Sequence, residues 1–183
     1  NVSRAPIREG LKILEGYGLL RSIPQKGSFV IGFSQPEIEE LYDIRFSLEE
    51  IIFRNIVTKG IFTADDYDHQ RNLLAKMLNL AESNEKKEDI LLEFSIVDLE
   101  FHMYFAERSE RKITLQILKK VYFQIHQAVI RDIATESDIK KLVEEHLKIL
   151  DSLQSGDLKS LQMNRFFSYF HRRIASFSVL DHE

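Results

Sequence analysis

The run from Leu91 to Glu107 (LLEFSIVDLEFHMYFAE) contains neither proline nor glycine and is apolar on nearly every side. Such a segment suits a helix packed inside a bundle rather than one lying on a surface. At about 100° per residue, Glu93, Glu100 and Glu107 share one heptad stripe and mark a solvent edge. Ser95, Asp98 and His102 fall on the opposite side and should point inward. A buried carboxylate four residues from a buried imidazole needs a partner, whether a metal, a cation or a strong hydrogen bond. The plainer alternative is a self-satisfied Asp98–His102 pair that fills core.

The rest of the chain narrows the choice. At 183 residues there is room for one medium domain, or a small one joined to a larger one. Seven glycines and three prolines favour long helices. No apolar run approaches the ~18 residues of a membrane span, and no signal-peptide pattern opens the chain. Cysteine is absent, which excludes disulfides, thiolate chemistry and Cys-type zinc sites and fits a reducing cytoplasm. Any metal must therefore use imidazole, carboxylate and water. Charge is uneven. Through Phe33, Arg4, Arg8, Lys12, Arg21 and Lys26 exceed Glu9 and Glu15 by three, so the remainder carries minus seven of the net −4. A basic head on an acidic body points to a polyanion partner for the head.

The head has its own pattern. Ser3 is a good N-cap, Pro6 sits in a first turn, and Ile7, Leu11 and Leu14 form an apolar stripe expected to be buried. Arg4, Arg8 and Lys12 share another face, and Gly16 or Gly18 ends the helix. Two short strands then flank a turn at Pro24–Gly27. A helix with an arginine face followed by a basic-tipped hairpin reads as the end of a winged helix-turn-helix. Arg4 and Arg8 would reach the major groove, with Lys26 and Gly27 at the wing against the backbone. The chain starts at Asn1 in the middle of this pattern, so the true N-terminus is expected upstream.

From Ser34 the reading is all helical. A capping box at Ser34–Glu37 opens a helix to about Lys59, and Thr63, Asp65 and Asp66 cap a second to about Ser83. The central helix follows, then one from Ile113 to about Ala134, one from Asp138 to Gln154, and a Phe-rich last helix from Leu158 to about Val179. The expected fold is mainly α: an antiparallel bundle of about six helices at 34–183, preceded by a partial winged helix-turn-helix at 1–33. His146 lies on the stripe Leu142, Val143, Ile149, Leu150 and Leu153, so it faces the core; His126 sits beside the stripe of its helix.

The words SRAPIREGLKILE (Ser3–Glu15), Gly18–Leu20 and Gly27–Val30 resemble the recognition helix and wing of the GntR family of bacterial transcription regulators. LYDIRFSLE (Leu41–Glu49), DLEFH (Asp98–His102) and EHLKILDSLQSGD (Glu145–Asp157) resemble the FCD effector domain of that family's FadR-type branch. Gly10 stands where the family usually has alanine, a cost of about 1 kcal/mol in a helix. The resemblance implies a cytoplasmic homodimer, most often a repressor and not an enzyme, which binds operator DNA through Ser3, Arg4, Arg8, Lys26 and Gly27. It also implies a small carboxylate effector held over a divalent metal, Zn²⁺ with Ni²⁺ or Mn²⁺ as alternatives. The implied ligands are Asp98, His102 and His146, with a fourth histidine expected where this chain has Ser168. His171 stands one turn later and either substitutes, leaves the position to water, or marks a lost metal. Arg45 and His126, with Ser168, would line the effector cavity; the bland reading of Arg45 is a surface pair with Glu49. Two rivals stay open: a metal-free acyl-CoA or fatty-acid sensor of the same fold, and a metal-dependent hydrolase, for which no general base or oxyanion donor is recognisable.

Overall fold

A computed structural model of the chain describes residues 3–84, 86–135 and 139–165. The head comprises α1 (Arg4–Gly16) and a hairpin of β1 (Leu20–Ile23) and β2 (Gly27–Val30). The strands pair antiparallel from Leu20 opposite Val30 to Ile23 opposite Gly27. Their turn closes through Lys26 N–H donating to Ile23 O at 3.0 Å. It places Gln25 in the left-handed region at φ 63°, beside Gly27 at 106°. The bundle follows as α2 (Gln35–Lys59), α3 (Ala64–Glu82), α4 (Lys87–Arg108), α5 (Lys112–Thr135) and α6 (Ile139–Ser155). The chain is helical again over 158–165. The rest of the expected last helix, with its phenylalanines, Ser168 and His171, lies outside the described residues. Among the described residues no helix is long and apolar enough to cross a membrane.

Local signals set the boundaries. Ser34 N–H donates to Glu37 Oε2 at 2.7 Å, and Thr63 N–H to Asp66 Oδ2 at 2.8 Å, closing the two capping boxes. α2 ends at Gly60, whose φ of 59° suits a residue without a Cβ. Gly156 at 72° turns the chain after α6 in the same way.

α4 is the centre of the bundle, packed against α2, α3 and α5, while α6 lies on α3. Phe94, Val97, Phe101 and Phe105 are almost wholly buried among Ile52, Phe53, Met77, Val129 and Leu150. Phe105 meets Phe53 and Phe101 edge-on with centroids 4.9 and 5.1 Å apart, the arrangement aromatic quadrupoles favour. Glu93, Glu100 and Glu107 are exposed as their stripe requires.

One expectation fails. The α1 stripe is not buried: Ile7 is 53% exposed and Leu14 38%, and α1 contains no buried residue. The hairpin strand β1 packs along α1, and a helix needs a further layer to cover its whole apolar stripe. The head meets the bundle through Tyr17, whose ring lies 4.9 Å from that of Phe123 on α5. Arg131, also on α5, donates to Phe33 O at 3.3 Å.

Candidate metal centre

On the inner side of α4, polar residues have no water to turn to. Asp98 and His146 are each 1% exposed, and His102 is 7% exposed. The predicted three converge. His146 Nε2 lies 2.9 Å from Asp98 Oδ1 and 3.0 Å from His102 Nε2, and the remaining side, His102 Nε2 to Asp98 Oδ1, is 4.0 Å. One ligand atom from each residue thus lies within 4.0 Å of the others, close enough for the three to share one ion.

The outer faces of both rings are already engaged. His146 Nδ1 lies 2.6 Å from Leu142 O, and since a carbonyl only accepts, Nδ1 carries the hydrogen. Glu49 Oε1 lies 2.8 Å from His102 Nδ1, close in charge though off the line of a well-directed hydrogen bond. When each ring carries its hydrogen on Nδ1, the Nε2 lone pairs turn toward each other and toward the Asp98 carboxylate. Three electron pairs then face one point, an arrangement that a divalent cation would complete.

Electrostatics keeps Asp98 and His102 in ligand form. Burial pushes the Asp98 carboxyl up, but the Arg45 guanidinium and His146 outweigh it and hold it well below the usual carboxylate range. Burial, reinforced by Arg45, pushes His102 down to about 4 against the pull of Glu49. Neutral imidazole and ionised carboxylate are the states that bind metal.

Arg45 is not a surface residue. It is 5% exposed and its pair with Glu49 (Nε to Oε1, 2.9 Å) is buried, which overturns the surface-pair reading. Its Nη2 reaches Asp98 Oδ2 at 3.2 Å, while Nη1 has no hydrogen-bond partner among the described residues. His126 is half-buried on α5, its Nε2 3.0 Å from Ser95 Oγ, and burial lowers its pKa. Ser168 and His171 lie outside the described residues. At the other end Arg4 and Arg8 are exposed one turn apart on α1 behind the N-cap Ser3, with Lys26 and Gly27 exposed at the hairpin tip.

Sequence reasoning missed Arg165 and the role of Glu49. Arg165 is 3% exposed, lies over the rings of Phe46 and Phe53 at 4.5 and 4.8 Å, and donates to Phe46 O and Glu50 Oε2 at 2.8 Å. It also reaches Glu49 Oε2 at 3.4 Å.

The comparisons agree with this architecture. The chain matches the FCD domain over residues 40–163. It is 30% identical over 173 residues to the gluconate operon transcriptional repressor of Bacillus licheniformis, covering 90% of this chain and 68% of that protein. It is 25% identical over 157 residues to the HTH-type transcriptional repressor RspR of Escherichia coli K12, covering 86% and 66%. Its fold is similar to E. coli McbR/YncC (TM-score 0.73, 20% identity, 98% and 87% covered). It is also similar to a putative GntR regulator of Rhodococcus sp. RHA1 (TM-score 0.74, 16% identity, 100% and 82% covered). These relatives are regulators rather than enzymes, and the chain belongs to the FCD-domain, FadR-type branch of the GntR family of transcriptional regulators.

Proposed function

We propose that this chain is an effector-responsive regulator whose head binds an operator half-site and whose bundle binds a small carboxylate beside a divalent metal. The observation that carries the metal is the convergence of Asp98, His102 and His146 in a buried triangle of ligand dimensions. When bound, the ion supplies a Lewis-acidic contact for an anionic ligand. The Nη1 of Arg45, without a hydrogen-bond partner among the described residues, and the Ser95–His126 pair supply donors nearby, since a charged donor favours a carboxylate acceptor. One relative is named for a gluconate operon, so gluconate is the first carboxylate to test.

A response to ligand requires two arrangements that the ligand distinguishes. α5 is suited to transmit it, because one helix carries His126 toward the centre and Phe123 and Arg131 toward the head. In a homodimer, our reading of the assembly, a small shift of α5 alters the spacing of two heads on an operator in the cytoplasm. A metal-free sensor is the second reading. Its support is that Arg45 already pairs with Asp98 without any ion.

Metal analysis of protein purified without chelator, followed by thermal shift with gluconate and other carboxylates, tests the proposal. Bound metal and a ligand-dependent rise in Tm are expected. Absence of metal, with a melting temperature indifferent to chelator, favours the metal-free sensor.

A further inference from the structure

Glu49 accepts from two arginines and faces an imidazole. Oε1 faces Arg45 Nε at 2.9 Å and His102 Nδ1 at 2.8 Å, while Oε2 faces Arg165 at 3.4 Å. A carboxylate approached on both oxygens by fixed cations cannot swing, so its orientation is set by the arginines. What it faces at 2.8 Å is the far nitrogen of a candidate ligand, and a carboxylate there favours a hydrogen on that nitrogen and an inward Nε2 lone pair. Arg165 itself is anchored without reference to the centre. Phe46 O, Glu50 and two aromatic rings hold it, all from α2, although Arg165 lies beyond α6.

From this geometry we infer that Arg165 is a positioning residue of the metal centre. It joins the segment after α6 to the centre through Glu49 and thereby fixes the Nε2-inward tautomer of His102. The inference rests on the metal reading above. It adds that the centre depends on a residue that touches no ligand atom, and that displacement of the 158–165 segment loosens the centre from outside.

The test uses the full chain, stripped with chelator and titrated with Zn²⁺ alone in competition with a chromophoric chelator. In parallel, long-range ¹H–¹⁵N spectra of the metal-free protein read the His102 tautomer. Arg165→Met and Glu49→Gln are each expected to weaken zinc by about 10–100-fold, the range typical of outer partners of metal ligands. Each should also populate the other His102 tautomer. The double variant is expected to lose no more than the weaker single variant, because both act through one contact. Arg165→Lys keeps the charge and is measured beside the methionine variant, or in its place if that variant does not fold; part of the affinity should return.

Zinc affinity within twofold of wild type in the Arg165 variants, with only Tm lowered, overturns the inference and leaves Arg165 a plain latch. Fully additive losses overturn it too. If the wild type takes up no zinc, the metal reading fails first, and the tautomer measurement still decides the relay. A His102 hydrogen that stays on Nδ1 in both variants then refutes it.

Discussion

Acid should destabilise the metal-free protein in a window that His102 defines. Burial, with Arg45 adding to it, lowers this imidazole from 6.5 to about 4. Between those values the unfolded chain binds a proton that the folded chain refuses, so stability rises with pH and is lost as pH falls from 6.5 to 4. At about 1.4 kcal/mol per pH unit the full window is worth roughly 3 kcal/mol, a large share of a domain's ~5–15 kcal/mol. Asp98 and Glu49 are also held low, but depressed carboxylates lose their contribution only as pH falls below their ordinary value near 4, so they act beneath this window. His126, lowered by burial, acts in the same direction, and His126→Gln measures its share. The assay is urea unfolding of chelator-treated protein at steps from about pH 7 to about pH 4.5, for wild type and His102→Gln. The wild type should lose stability across the window and His102→Gln should follow a flatter line. Parallel profiles would refute the assignment of the proton to His102.

His146→Ala should abolish metal binding in equilibrium dialysis, because Asp98 and His102 on one helical turn make a weak pair. His171→Ala and Ser168→Ala then separate the options for a fourth position: loss with His171→Ala alone makes it the ligand, and loss with neither leaves the place to water. In operator-binding titrations, Arg4→Ala and Arg8→Ala should each cost about 1–3 kcal/mol if they read base edges. Lys26→Ala should weaken binding to all sequences and flatten the salt dependence. Arg45→Ala should shrink the carboxylate-induced rise in Tm in a protein that still folds, and an undiminished rise would return Arg45 to a structural role.

What could be read from the sequence was whatever a few consecutive residues decide. Ser34 with Glu37, Thr63 with Asp66, and Gly60 each form or end a helix through partners within four residues, and all three stand where periodicity placed them. The inward turn of Asp98, His102 and His146 is equally local, since helical phase against an apolar stripe gives direction without naming a partner. Arg165 shows where this stops. Its acceptors lie 115 to 119 residues away on α2, so nothing beside it distinguishes a buried guanidinium from a solvated one. The α1 stripe fails for the converse reason: Ile7 and Leu14 are periodic, but periodicity does not supply the layer that covers them.

The same buried charges make a last prediction about how metal and effector bind together. Among the buried groups of the centre, Arg45 and Arg165 stand against Glu49 and Asp98, so the fixed charge is balanced with both imidazoles neutral. A divalent ion adds two positive charges in a place with little water, and charge there is costly unless compensated. A carboxylate beside the ion removes one of them, so the carboxylate should bind more tightly to the loaded protein than to the stripped one. Linkage then requires the metal to bind more tightly, by the same factor, when the carboxylate is present. A factor of about 5–150 corresponds to the usual 1–3 kcal/mol of coupling. Calorimetric titration of zinc with and without saturating gluconate, and of gluconate with and without zinc, gives the two factors independently after correction for zinc–gluconate association in buffer. Equal factors above one support a shared buried site. Gluconate affinity independent of zinc would place the anion away from the Asp98–His102–His146 triangle, because an anion next to that ion cannot ignore its charge.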